Sequence, residues 1–350
     1  MKKRSLQILL GSICLMLVLL ASAFIAVAAP ATPEKPILLR FSTHFPPAHP
    51  RSIIPNRWMD NIEKATNNRV KFERYYSETL VGQKDAWDEL LKGTTDIVLI
   101  LGGTFPGRGV MPIQSMIGIA FVGVKDMQTC LRIYTQVCSE FPELAAEWAR
   151  VKILGHMGAE AFQIHSIKPV RTLADLKGMQ IRGIGAWPKN TAEKLGASLI
   201  AVPTGEMYIA LQKRIIDGCF HAITSLEAFK LAEVVKNTTL LDVYHGVSER
   251  VCMNLDSWKK LPPDIQKIFD DNLAKFDGDH INMSDEVTKS GEAYAKKLGH
   301  EFISLSQADL STIIKLLAEE PLSAAKELDT KGLPGTKIYN RIQKLIAESK

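Results

Sequence analysis

Apolar and polar positions along the chain follow two periods, near 2 and near 3.6, in alternating blocks. Ile37 to Ser42 reads as a first strand, ended by a loop containing Pro46, Pro47 and Pro50. The spacing from Ile54 to Thr66 predicts a helix, and Val70 to Tyr76 alternates as a second strand. Asp85 to Lys92 predicts a helix stopped by Gly93. Asp96 to Leu101 is a continuous apolar run, the pattern of a buried, parallel strand. This β-α-β-α-β order predicts an α/β sheet. Asp126 to Arg150 follows as one helix or two, and Val151 to Gly155 as a further strand.

A second alternating region begins near Met157. Strands are expected at Ala161–His165, Met179–Arg182, Ser198–Val202 and Ile215–Ala222. A turn and short helix fall at Leu173–Gly178, and helices at Pro188–Leu195 and Glu206–Lys213. These predict a second α/β domain of about 90 residues. Pro262 to Leu298 is charge-rich and helix-compatible throughout, long enough to connect two domains. Gln307 to Lys350 is helical in pattern, interrupted at Pro321 and at Lys331–Gly335.

The N-terminus has a different character. Lys2, Lys3 and Arg4 precede an uncharged apolar run from Ile8 to Ala29, which closes on Ala26-Val27-Ala28-Ala29. That is the layout of a cleaved secretory signal over residues 1–29, with an uncleaved membrane anchor as the alternative. The full chain of 350 residues carries a net charge of +5, and its loss leaves +2. A nearly neutral surface argues against a nucleic-acid partner. Of the four remaining cysteines, Cys130 and Cys138 lie about 12 Å apart along a helix, beyond disulfide reach. Buried free thiols are the expectation for Cys219 and Cys252, with pairing as the alternative.

No dinucleotide, P-loop, zincin or nucleophile-elbow motif is present. Gly102, Gly103, Gly107 and Gly109 have the wrong spacing for a phosphate loop. The eight histidines lack metal-ligand spacing and are expected mostly on the surface or in loops. No metal or cofactor is expected. An exported two-domain α/β chain without a catalytic signature has the profile of a binding protein whose ligand sits between lobes.

Two stretches carry a family resemblance. Lys168-Pro169-Val170, with Asp175-Leu176-Lys177-Gly178 and Ile181-Arg182, resembles a signature of TRAP-transporter solute-binding proteins of the DctP type. Leu195-Gly196-Ala197, Pro203, Glu206, Tyr208, Ala210-Leu211-Gln212 and Asp217-Gly218 are similar to that family's following motif. The resemblance implies a two-lobed periplasmic binding protein fold with a long helix bridging both lobes. Lobe I would take residues 36–156 and about 249–300 with that helix, lobe II 157–248, and a C-terminal helical segment 301–350 would pack on both.

It further implies that Arg182 clamps a ligand carboxylate, since a planar guanidinium grips a carboxylate through two hydrogen bonds. The sequence departs from the sugar-acid binders of the family. No arginine lies in Ala159–Gln163, and His221 stands where an asparagine is usual. With Trp187, Phe162 and Phe220, these changes point to a ligand with an apolar or aromatic body. His44, Phe45 and Gly103 sit where strand ends would face a cleft, and Tyr208 belongs to the second motif. The expected protein is a monomeric periplasmic receptor for a small organic acid that delivers it to TRAP membrane permease subunits. A periplasmic enzyme on the same scaffold and a sensory input protein are the alternatives.

Overall fold

The computed structural model describes residues 35–101, 111–122, 124, 126–183, 191–241 and 246–349. The expected signal at 1–29, and the candidates Gly103 and Trp187, lie outside them. No helix among the described residues is long and apolar enough to cross a membrane.

The strands are β1 (Ile37–Ser42), β2 (Val70–Tyr75), β3 (Ile97–Leu101), β4 (Val151–Ala159), β5 (Phe162–Ser166), β6 (Gln180–Arg182), β7 (Ser198–Ile200), β8 (Gly218–Ala222), β9 (Asn237–Leu240), β10 (Gly246–Asn254) and β11 (Glu301–Ser304). They form two sheets, in the orders β2-β1-β3-β10-β4 and β11-β9-β5-β8-β6-β7. In the first, β1 and β3 are parallel and β10 runs antiparallel to both β3 and β4. In the second, β6 is parallel to β7 and to β8, while β5 is antiparallel to β8 and β9. The chain leaves the first sheet through Glu160–Ala161 and re-enters it on β10, so two strand-to-strand crossovers join the lobes, in addition to the helical connections below.

Local signals explain most elements. The apolar run of β3 is buried from Ile97 through Ile100. The stretch expected as one helix or two is split by Pro142, into Met127–Glu140 and Pro142–Ala146. Asp126 caps the first by accepting from the Thr129 N–H at 2.6 Å. The long helical stretch also divides. Pro263–Asp271 ends at Asn272, and Leu273–Lys297 continues for 25 residues.

That long helix joins both lobes. On β4, the His156 N–H and Nδ1 both meet the Asp277 carboxylate at 2.8 Å, and the Gly158 N–H donates to His280 Nε2 at 2.8 Å. Toward the second lobe, the Ser290 hydroxyl donates to Glu227 at 2.7 Å. A second connection comes from the C-terminal segment. Helix Gln307–Thr330 buries Ile313 and Leu317 in the core of the second sheet, and Ala325 and Leu328 in the helical core of the first lobe. Strand β11, inside the segment expected to be helical, pairs in parallel with β9 and so extends the second sheet beyond residue 248.

The histidines depart from expectation. His49, His165, His280 and His300 are all buried. His165 bonds Thr238 Oγ1, which also contacts His300 Nε2, so these rings satisfy core polar groups. All four described cysteines are free thiols; Cys219 lies in the second sheet and Cys252 in the first.

Candidate functional site

Arg182 ends β6, paired with Ile200 on one side and Cys219 on the other. The side chain is 4% exposed. Nε donates to the Val202 carbonyl at 3.0 Å and Nη2 to Thr204 Oγ1 at 3.0 Å. Both partners follow β7, so two neighbouring strand ends fix the guanidinium at the C-terminal edge of the parallel strands, where α/β sheets bind ligands. No carboxylate among the described residues pairs with it. Burial lowers its pKa from the ordinary value. An arginine nonetheless stays charged. A buried, unpaired charge costs several kcal/mol, which an incoming anion would offset.

Aromatic rings line up beside this charge. His44 lies 3.9 Å from Phe45, and Phe45 stacks on His49 at 4.2 Å and 16°. His49 meets Phe229 at 5.1 Å, Phe229 meets His221 edge-on at 5.8 Å, and His221 stacks on Phe162 at 5.8 Å and 22°. The first three rings follow β1. Phe229 caps the short helix Ser225–Ala228, His221 belongs to β8 and Phe162 opens β5. The array therefore runs from one lobe into the other, closing at His49 and Phe229.

The imidazoles in the array are neutral. Burial, helped by the charge of Arg51, pushes His44 down to about 3 and His49 well below its usual value. Burial and then Arg182 do the same to His221. Hydrogen bonds fix two tautomers. His49 Nδ1 accepts from the Arg51 N–H at 3.2 Å and His221 Nδ1 from the Ala222 N–H at 3.0 Å. Each proton therefore resides on Nε2. Two guanidiniums act on His221, Arg182 and Arg51. Arg51 is neutralised by Glu249 at 2.8 Å and Glu160 at 3.4 Å. Arg182 has no such partner among the described residues.

The remaining candidates fall elsewhere. Alternation along β8 sends His221 to one face and Phe220 to the other, where it packs in the core with Ile164, Leu176, Ile313 and Leu317. The Tyr208 hydroxyl donates to Glu233 at 3.0 Å, and Tyr294 reaches the same carboxylate at 3.2 Å, so Tyr208 brackets helices together. The motif residues around Arg182 also build scaffold. Asp175 accepts from the Arg171 and Thr172 N–H groups at 2.9 and 2.8 Å. Gly178 takes a left-handed φ of 78° and donates to the Gly196 carbonyl at 2.7 Å. Asp217 accepts from the Gln180 N–H at 2.9 Å, which fixes β6 beside β8. His49 and Phe229 are additions from the structure. His49 carries a local signal, the N-cap position before Pro50; Phe229 carries none.

Residues 41–325 match the bacterial extracellular solute-binding protein family 7. The 2,3-diketo-L-gulonate-binding periplasmic protein YiaO of Escherichia coli K12 is 24% identical over 296 residues, 84% of this chain and 82% of that protein. A TRAP solute-binding protein from Rhodoferax ferrireducens, solved with copurified benzoate, superposes with a TM-score of 0.80 at 22% identity, covering 89% of this chain and 98% of that one. A marine metagenome TRAP solute-binding protein specific for aromatic acid ligands superposes with a TM-score of 0.78 at 23% identity, covering 89% and 99%. The chain belongs to the bacterial extracellular solute-binding protein family 7 and is a TRAP-type solute-binding protein.

Proposed function

We propose that this protein is a periplasmic receptor, exported by its N-terminal signal, that captures a small monocarboxylic acid with a planar aromatic body and passes it to TRAP membrane permease subunits. One observation carries the reading. Arg182 is a buried, pre-oriented guanidinium without a carboxylate partner among the described residues, beside an array of rings whose imidazoles are uncharged. One unpaired cation matches one carboxylate, and flanking rings favour a flat apolar body over a polyol. The Nε2–H of His221 is a donor for a ring hydroxyl or heteroatom. Benzoate in the Rhodoferax protein and aromatic acids in the metagenome protein support the same ligand class.

Capture then follows from differential affinity. The ligand bonds Arg182 in one lobe and rests against rings of both, so it stabilises the form in which His49 and Phe229 meet. A thermal-shift panel tests this reading. Benzoate and 3-hydroxybenzoate should raise the melting temperature, and glucuronate and succinate should not. Stabilisation by the aliphatic acids alone would remove the aromatic class.

A further inference from the structure

Arg51 is the second residue of the helix Pro50–Ala65, two positions after His49, and is 7% exposed. Its guanidinium binds two carboxylates. Nη1 meets Glu249 at 2.8 Å and Nη2 meets Glu160 at 3.4 Å. The same group lies 5.4 Å from the Phe45 ring centroid. The two acids occupy special places. Glu160 belongs to the two-residue crossover from β4 to β5, and Glu249 lies on β10 just after the chain returns to the first sheet. One buried cation therefore ties both crossovers to the loop that carries Phe45 and His49.

We infer that Arg51 is a positioning residue for ligand capture: its bonds to Glu160 and Glu249 hold the ring-bearing loop in register with both crossovers, and the separation of the lobes depends on that three-residue cluster being intact. The inference rests on two-lobed capture and not on which acid is captured. Removing Arg51 would leave Glu160 and Glu249 facing each other without a counter-charge in a dry site, so the crossovers would spread. The cluster is also sensitive to protons. Burial raises Glu249 to about 7, Arg51 and Arg250 oppose that, and Glu160 adds to it. The histidines around Arg51, which are His44, His49, His221 and His280, are all pushed down and stay neutral across this range. Acidification from pH 8 to pH 6 therefore protonates Glu249 and weakens its ion pair with Arg51.

Small-angle scattering on the ligand-free protein reads lobe separation without a ligand. Arg51→Gln should increase the radius of gyration, and Arg51→Lys should restore part of the difference. The wild type should expand between pH 8 and pH 6, and Glu249→Gln should lose that pH dependence. If Arg51→Gln fails to fold, the pH response of the wild type against Glu249→Gln decides the matter alone. Profiles unchanged by both the substitutions and pH would overturn the inference. Calorimetry with benzoate adds a separate arm, in which Arg51→Gln should bind roughly tenfold more weakly. A wild type that ignores benzoate would count against the aromatic ligand class and leave the scattering result standing.

Discussion

Gly291 lies against the carbonyl of Ile223 so closely that a Cβ at position 291 would sit 2.8 Å from that oxygen. The contact joins the long helix, already held to β4 by His156 and Asp277, to the segment that follows His221. Alanine normally improves a helix interior by about 1 kcal/mol over glycine. Overpacking costs about 1–3 kcal/mol, and here the opposing atom is backbone that cannot rotate away. The penalty should win. Gly291→Ala is expected to lower the urea midpoint by about 1 kcal/mol of stability, and a raised midpoint would contradict the close contact.

Phe229 is the second-lobe ring that His49 reaches at 5.1 Å. An aromatic pair contributes about 0.5–1.5 kcal/mol beyond area burial. Phe229→Ala should therefore weaken benzoate binding by roughly twofold to tenfold in a fluorescence titration. Butyrate, which lacks a ring, should lose less. Equal losses for both acids would separate Phe229 from ligand recognition.

Glu249 gives stability a pH signature. Burial raises its carboxyl from 4.5 to about 7, so the folded chain holds a proton that the unfolded chain has released between those values. Stabilisation from this group is complete below about pH 4.5 and is lost as pH rises to about 7. The change is at most roughly 3 kcal/mol, since each pKa unit corresponds to about 1.4 kcal/mol. Glu249→Gln should flatten the fall in melting temperature from pH 5 to pH 7. An unchanged slope in the variant would assign it to other groups.

Asp175 closes a capping box with Thr172 ahead of β6 and faces solvent. Asp175→Ala is expected to lower the melting temperature while leaving benzoate affinity unchanged. A selective loss of affinity would instead place the motif's acid in ligand recognition.

The same distinction explains what was legible in the chain. Strands β1, β3 and β6 announce themselves by period and apolar content. Arg182 stands out through the family resemblance of the motif around it, and not through composition or period. Of strand β10 only the stretch around Cys252 reads as strand-like, because Ser248, Glu249 and Arg250 interrupt its apolar pattern. Yet Glu249 and Arg250 are only 3% and 0% exposed, one paired with Arg51 and the other packed on the Tyr134 ring at 4.2 Å. A buried charge written in sequence looks like a surface charge until its partner is located. The ring array was half visible for a related reason. His44, Phe45, Phe162 and His221 were candidates by position, whereas Phe229 enters only through the crossing of two lobes. Phe220 shows the limit of reading a strand without its faces: one residue from His221, it belongs to the core.

The central claim is that the unpaired charge of Arg182 receives the ligand's carboxylate. Titration calorimetry of the wild type and Arg182→Ala with benzoate tests it most directly. Removing one partner of a buried charge pair costs about 3–5 kcal/mol, so the variant should bind at least roughly a hundredfold more weakly. Equal affinity in the folded variant would contradict the account.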